Sequence, residues 1–166
     1  MSPAEDHPNV AAVVAALRAG GAAAGTVERM TVLPDAVSTA RAAADALGVE
    51  VAQIANSLVF VADGEPLLVL ASGAHRVDTV ALATRLGVGA IRRADPKIVR
   101  AATGQVIGGV APVGHPAPLR TVVDTALGCY DEVWAAGGIP HAVFPTTYAE
   151  LLAVTGGIPA PVAEES

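Results

Sequence analysis

Residues 57–72, SLVFVADGEPLLVLAS, constrain the fold more than any other stretch of the chain. Two β-rich runs, Ser57–Ala62 and Leu67–Ser72, flank DGEP, and Asp63-Gly64 is a dipeptide suited to the positive φ angles of a tight hairpin turn. Helices are read from spacing. Val10, Val13, Val14 and Leu17 fall at i, i+3, i+4 and i+7 and predict an amphipathic helix ending near Gly20 and Gly21. Ser38 or Thr39 caps a helix through Leu47 that Gly48 stops, and Asp78 caps one through Leu86 that Gly87 stops. Asp95 followed by Pro96 starts a helix running to Thr103, before Gly104. Thr147 and Glu150 form a T-x-x-E capping box for a last helix ending at Gly156 and Gly157. Val27 to Leu33 alternates and predicts a strand, after which Pro34 and Asp35 turn the chain. Ile91, Val110, Arg120–Val123, Glu132–Ala135 and His141–Phe144 predict further short strands. Strands outnumber the slots of a βαβ alternation and several come in succession. The expected class is therefore α+β with a mixed sheet, not a doubly wound parallel sheet.

A length of 166 residues suits one domain, and 52% hydrophobic residues supply its core. Aromatics are only 3% of the chain, so that core is made of Ala, Val and Leu. Residues 1–7 and 163–166 are polar and are expected to be disordered. No apolar run reaches the roughly 18 residues of a membrane helix, and the acidic start, MSPAEDHPN, lacks the basic region of a secretory signal. With Cys129 the one cysteine, these features point to the cytoplasm. The net charge of −6 argues against a protein that coats duplex DNA through its phosphates, but not against one that recognises a nucleic-acid end.

Conventional catalytic side chains are scarce. There is no G-x-S-x-G elbow and no phosphate-binding glycine motif. His7, His75, His115 and His141 have no metal-ligand spacing, so no metal is expected. Ser57 begins a strand with no base near it in sequence, and Cys129 reads as a small buried hydrophobe. Asp124 ends the apolar strand TVVD, where it caps the following TALG or meets a ligand. Arg92, Arg93, Lys97 and Arg100 of IRRADPKIVR form the one basic cluster, a solvated face or a contact for phosphates. What remains is GQVIGGVAPVGH, residues 104–115, with four glycines in twelve residues. Missing side chains let something approach the backbone closely. Gly108 and Gly109 either line a pocket with bare N–H and C=O groups or mark a tight crossing of the chain.

Three blocks in order resemble the YbaK/prolyl-tRNA editing family. They are residues 39–78, TARAAADALGVEVAQIANSLVFVADGEPLLVLASGAHRVD; residues 94–115, ADPKIVRAATGQVIGGVAPVGH; and residues 122–156, VVDTALGCYDEVWAAGGIPHAVFPTTYAELLAVTG. The resemblance spans residues 8–162 and implies a compact α+β domain with a mixed, partly open barrel-like sheet flanked by helices. It implies an aminoacyl-tRNA deacylase that hydrolyses the ester between a wrong small amino acid, such as Cys or Ala, and the 3′ end of a proline tRNA or a related tRNA. Such editing is needed because an apolar synthetase pocket separates similar small amino acids poorly. The family's G-x-x-x-P element, here Gly108 to Pro112, is implied to hold the aminoacyl end. Water attacks with help from the substrate's own groups, and neither metal nor organic cofactor is implied. The implied partner is the aminoacyl-tRNA 3′ end; docking on a synthetase stays open, as does oligomeric state.

Residue roles follow from the same resemblance. Family members usually carry lysine in the I-x-K-[ST]-L block, whereas this chain reads IANSLVF and places Asn56 there. The amide donates hydrogen bonds but lacks the ammonium charge. Asn56, Gly108 and His141 are the implied catalytic positions. Ser57, Gly109, Pro112, Asp124, Ala136 and Gly137 are the implied substrate contacts, and Arg92, Arg93, Lys97 and Arg100 the candidates for the tRNA backbone. The alternative is a weak or inactive binder of aminoacyl or nucleotide ends, since the usual lysine is missing.

Overall fold

A computed structural model describes residues 7–163. The termini expected to be disordered lie outside the described residues, except for His7 and Ala163. His7 caps the first helix, its Nδ1 accepting from Asn9 N at 3.1 Å.

The elements are α1 (Pro8–Ala19), α2 (Ala24–Glu28), β1 (Thr31–Val32), α3 (Ala40–Leu47), β2 (Ile54–Ala62), β3 (Glu65–Ser72), α4 (Thr79–Leu86) and β4 (Ile91–Arg93). They continue with α5 (Pro96–Thr103), β5 (Arg120–Asp124), β6 (Val133–Ala136), β7 (Ala142–Thr146), α6 (Tyr148–Thr155) and β8 (Ile158–Ala160). The expected hairpin is the centre of the molecule: β2 and β3 pair antiparallel from Ala55–Ser72 to Ala62–Glu65. The strands form one mixed, eight-stranded sheet in the order β1-β7-β6-β2-β3-β5-β8, with β4 paired separately to β2. The path runs from edge to edge and does not close into a barrel.

Strand alternation divides the core between the two faces of the hairpin. Ala55, Val59, Leu68 and Leu70 pack with α1 residues Val10, Val13, Val14 and Leu17 and with Val110, Ala111 and Val113. Phe60, Ala62, Leu67, Val69 and Ala71 pack instead with Leu82 and Ala83 of α4. Further along this second face, Ile54 meets Ala43 and Ala44 of α3. The predicted caps hold at four helices: Thr39, Asp78, Asp95 and Thr147 each accept a backbone N–H from the first turn.

Four local expectations are corrected. The strand expected over Val27–Leu33 is reduced to Thr31–Val32, because α2 takes in Val27. That helix has no side-chain cap of its own; the Glu150 carboxylate accepts from Ala23 N and Thr26 Oγ1, from 127 and 124 residues away. For the same reason the capping box of α6 is half made. Thr147 Oγ1 accepts from Glu150 N, but the carboxylate is turned to Thr26, Ala23 and Thr146. Val110 lies in a loop rather than a strand. The amide next to it, Ala111 N, donates to the Gln105 side chain at 2.8 Å instead of to a neighbouring strand. Cys129, expected to be buried, is exposed at the end of a 3-10 turn.

Candidate functional site: a groove at a split in the sheet

On one side β2 is paired along its length by β3. On the other, β6 pairs only with Ile54 and Ala55, and β4 only with Phe60, Val61 and Ala62. The strand edge from Asn56 to Val59 therefore faces a gap between two neighbours. The Val59 carbonyl in that gap accepts from Ala94 N at 3.2 Å. A groove of about 270 Å³ opens there, near the lower end of ligand pockets at about 300–1,000 Å³. Its floor is Ala55, Asn56, Ser57 and Leu58 of β2. One wall comes from Val37–Ala40 and Ala43, the other from Ile107, Gly108 and Val110; Trp134–Ala136, Pro140, Ala142 and Val143 close one end, and Arg93 stands at the β4 side.

Several residues singled out by sequence meet in this groove: Asn56, Ser57, Gly108, Ala136 and Arg93 all line it. Asn56 is half-buried and its amide has no hydrogen-bond partner among the described residues. Ser57 Oγ is fully buried and also lacks one. An unpaired hydroxyl in that position costs about 1–3 kcal/mol, so the groove is polar where it is least exposed. None of the lining residues is acidic, and Arg93 is their one charge. Trp134 presents an aromatic wall; its ring lies 5.7 Å from the Arg29 guanidinium, which is held by the Glu132 carboxylate at 2.6 Å.

Other candidates lie elsewhere. His141 does not line the groove: its carbonyl accepts from Leu33 N and its Nδ1 lies 3.3 Å from Leu33 O. Asp124 is buried behind β3, where its carboxylate accepts from Ser72 N and Ala126 N and meets His75 Nδ1 at 2.8 Å. That is a cap and a tie between strands, and it lies outside the groove. Pro112 is buried outside it too. Arg92, Lys97 and Arg100 are exposed on β4 and α5 and do not line the groove. Val37, Trp134, Ile107 and Pro140 were not singled out by sequence, and Ser38 only as a candidate helix cap, because no local motif marks a residue whose role is to meet others across the fold.

The closest approach to the glycine loop is made by the chain itself. A Cβ on Gly109 would sit 2.8 Å from Ile139 C and Pro140 N, and Gly109 lies outside the groove. Gly137 is equally packed, its missing Cβ replaced by Met30 Sδ at 2.7 Å. Gly108 has φ +92° and its absent Cβ would meet Ser38 Cβ at 3.0 Å, so here the bare backbone seats the loop against the opposite wall. Two side chains, the buried Gln105 and the half-buried His115, brace the loop from within. Gln105 Oε1 accepts from Ala111 N, and His115 Nε2 lies 2.9 Å from Ala111 O. Burial lowers the His115 pKa against the opposing effect of that hydrogen bond.

The profile of the aminoacyl-tRNA editing domain matches residues 34–154, and the chain belongs to that family. It is similar over 99% of its length to the structure of a trans-editing enzyme proposed for prolyl tRNA synthetase, with 41% identity, 99% of that chain covered and a TM-score of 0.84. It is 31% identical over 115 residues to the uncharacterized protein YwhH of Bacillus subtilis, covering 69% of this chain and 73% of that one. A proline–tRNA ligase of Citrifermentans bemidjiense is 36% identical over 81 residues, 49% of this chain; the match spans only 14% of the ligase. Among the described residues no helix is long and apolar enough to cross a membrane.

Proposed function

We propose that this protein is a cytoplasmic aminoacyl-tRNA deacylase acting in trans on a small amino acid, such as Cys or Ala, esterified to a proline tRNA or a related tRNA. The observation that carries this reading is the convergence of Asn56, Ser57, Gly108 and Ala136 on one small groove, in a chain of the editing family. The groove is small, about 270 Å³, and a short side chain fits it beside Ala135 and Ala136. The Asn56 amide donates to the ester carbonyl and stabilises the negative charge that develops there as water attacks. With no histidine, cysteine or carboxylate in the lining to activate a hydroxyl or the water, the proton of that water is relayed through the neighbouring ribose hydroxyl to the departing ester oxygen of the substrate. Arg93, with Arg92, Lys97 and Arg100 beyond it, meets the phosphates of the acceptor end.

The test is release of amino acid from a panel of mischarged tRNAs carrying Ala, Cys, Ser or Thr. Hydrolysis above buffer for at least one small amino acid is expected; none on any tRNA overturns the reading. A second reading is favoured by Asn56 itself, which stands where relatives usually carry lysine. In it the protein binds the aminoacyl end without cleaving it. Tight binding of an uncleavable aminoacyl-adenosine amide, with no turnover of the matching ester, selects that alternative.

A further inference from the structure

The gap in the sheet leaves one residue's main chain without a strand partner. Along β2, successive residues direct their N–H and C=O to opposite edges. The Val59 carbonyl meets Ala94 N and the Asp63 amide meets Ala90 O, so odd-numbered residues of this strand point away from β3. Ser57 is odd-numbered. Towards β6 the pairing ends at Ala55 with Ala135, and towards β4 it ends at Phe60 with Arg93. The N–H and C=O of Ser57 therefore face the groove, and among the described residues neither β6 nor β4 pairs with Ser57 and no loop amide or carbonyl bonds to it. Its Oγ is buried and unpaired as well.

We propose that the main-chain N–H and C=O of Ser57 grip an α-aminoacyl group as a missing strand residue, its amine donating to the Ser57 carbonyl and its acyl oxygen accepting from the Ser57 amide. This rests on the aminoacyl reading of the groove and specifies how the amino acid is held. A hydrogen-bonded antiparallel pair exchanges both bonds between two opposed residues, and one α-amino acid carries both complementary groups. The pairing also answers a chemical difficulty. An amine entering a groove without a carboxylate has no ion pair, and a strand carbonyl is the acceptor that the fold supplies. Cross-strand neighbours share a face, so the ligand's side chain lies beside that of Ser57 and is limited to a small one.

Amide hydrogen exchange read by NMR tests this, with 3′-alanylamido-3′-deoxyadenosine as an uncleavable probe. In the free protein the Ser57 amide is expected to exchange faster than those of Asn56 and Leu58, which point to β3. Saturating probe is expected to slow Ser57 exchange at least tenfold. The propionyl counterpart, which lacks the α-amine, is expected to bind about three- to tenfold more weakly, the worth of one hydrogen bond. The Ser57→Ala variant, which keeps the main chain, is expected to retain the protection. If the probe shifts Trp134 and Ala136 resonances but leaves the Ser57 amide unprotected, the pairing is wrong and the aminoacyl reading survives. Loss of protection in Ser57→Ala would likewise overturn it, assigning the grip to the hydroxyl. A probe that does not bind at all overturns both the pairing and the reading beneath it.

Discussion

Asn56 and Gly109 show how differently two residues of one expected site can act. Asn56 lines the groove with an unpaired amide, so its value lies in what the ligand brings. Asn56→Ala is expected to lower hydrolysis roughly three- to tenfold, as for one neutral hydrogen bond, with an unchanged melting temperature. Rates equal to those of the wild type in single-turnover deacylation would make Asn56 a bystander. Gly109 is a packing residue, pressed against the Ile139–Pro140 main chain, which cannot swing aside as a flexible side chain does. Gly109→Ala is expected to cost about 1–3 kcal/mol in urea unfolding, the range for overpacking. An unaffected midpoint would mean that the two segments separate freely. Gly108 is a poor place to probe the groove by adding a side chain, since its φ of +92° strains any other residue.

Among the elements, α2 and α6 are joined by one carboxylate. Burial by itself would raise the Glu150 pKa, but hydrogen bonds from Thr146, Thr26 and Ala23 outweigh it and leave the group below the ordinary carboxylate value. A depressed folded pKa stabilises the protein above the unfolded value of about 4.3, and that stability is lost as pH falls through the folded value. Glu150→Gln is therefore expected to lower stability near neutral pH by on the order of 1 kcal/mol, discounted for partial exposure. The gap between variant and wild type should narrow as pH falls below the unfolded value of about 4.3. Melting curves at pH 7 and pH 3.5 check this; a gap that persists or widens in acid contradicts it. The T-x-x-E motif and the glycine stop revealed α6 and its Thr147 cap, because those signals are local. They could not reveal α2, whose first turn is completed by a residue more than a hundred positions away.

At the scale of the molecule, a chain of net charge −6 exposes Arg92, Arg93, Lys97 and Arg100 on β4 and α5, and Arg93 among them lines the groove. If these meet phosphates, the double variant Lys97→Ala/Arg100→Ala should weaken aminoacyl-tRNA binding and flatten its salt dependence by about one to two units of slope. Filter binding from 50 to 200 mM salt measures it, and an unchanged slope removes those two residues from the interface. The sequence alone determined the β2–β3 hairpin, most helix limits and the mixed α+β class. Turn dipeptides, caps and apolar spacing act over a few residues and are written where they act. It also marked Asn56, Ser57, Gly108 and Ala136 through the family's ordered blocks. Only the tertiary structure decided that β6 and β4 share one edge of β2 and stop short of each other. The same long-range packing turned His141 to Leu33, placed Asp124 behind β3 and pressed Gly109 against the chain's own backbone. Such contacts depend on pairings between segments tens of residues apart, which no local pattern encodes.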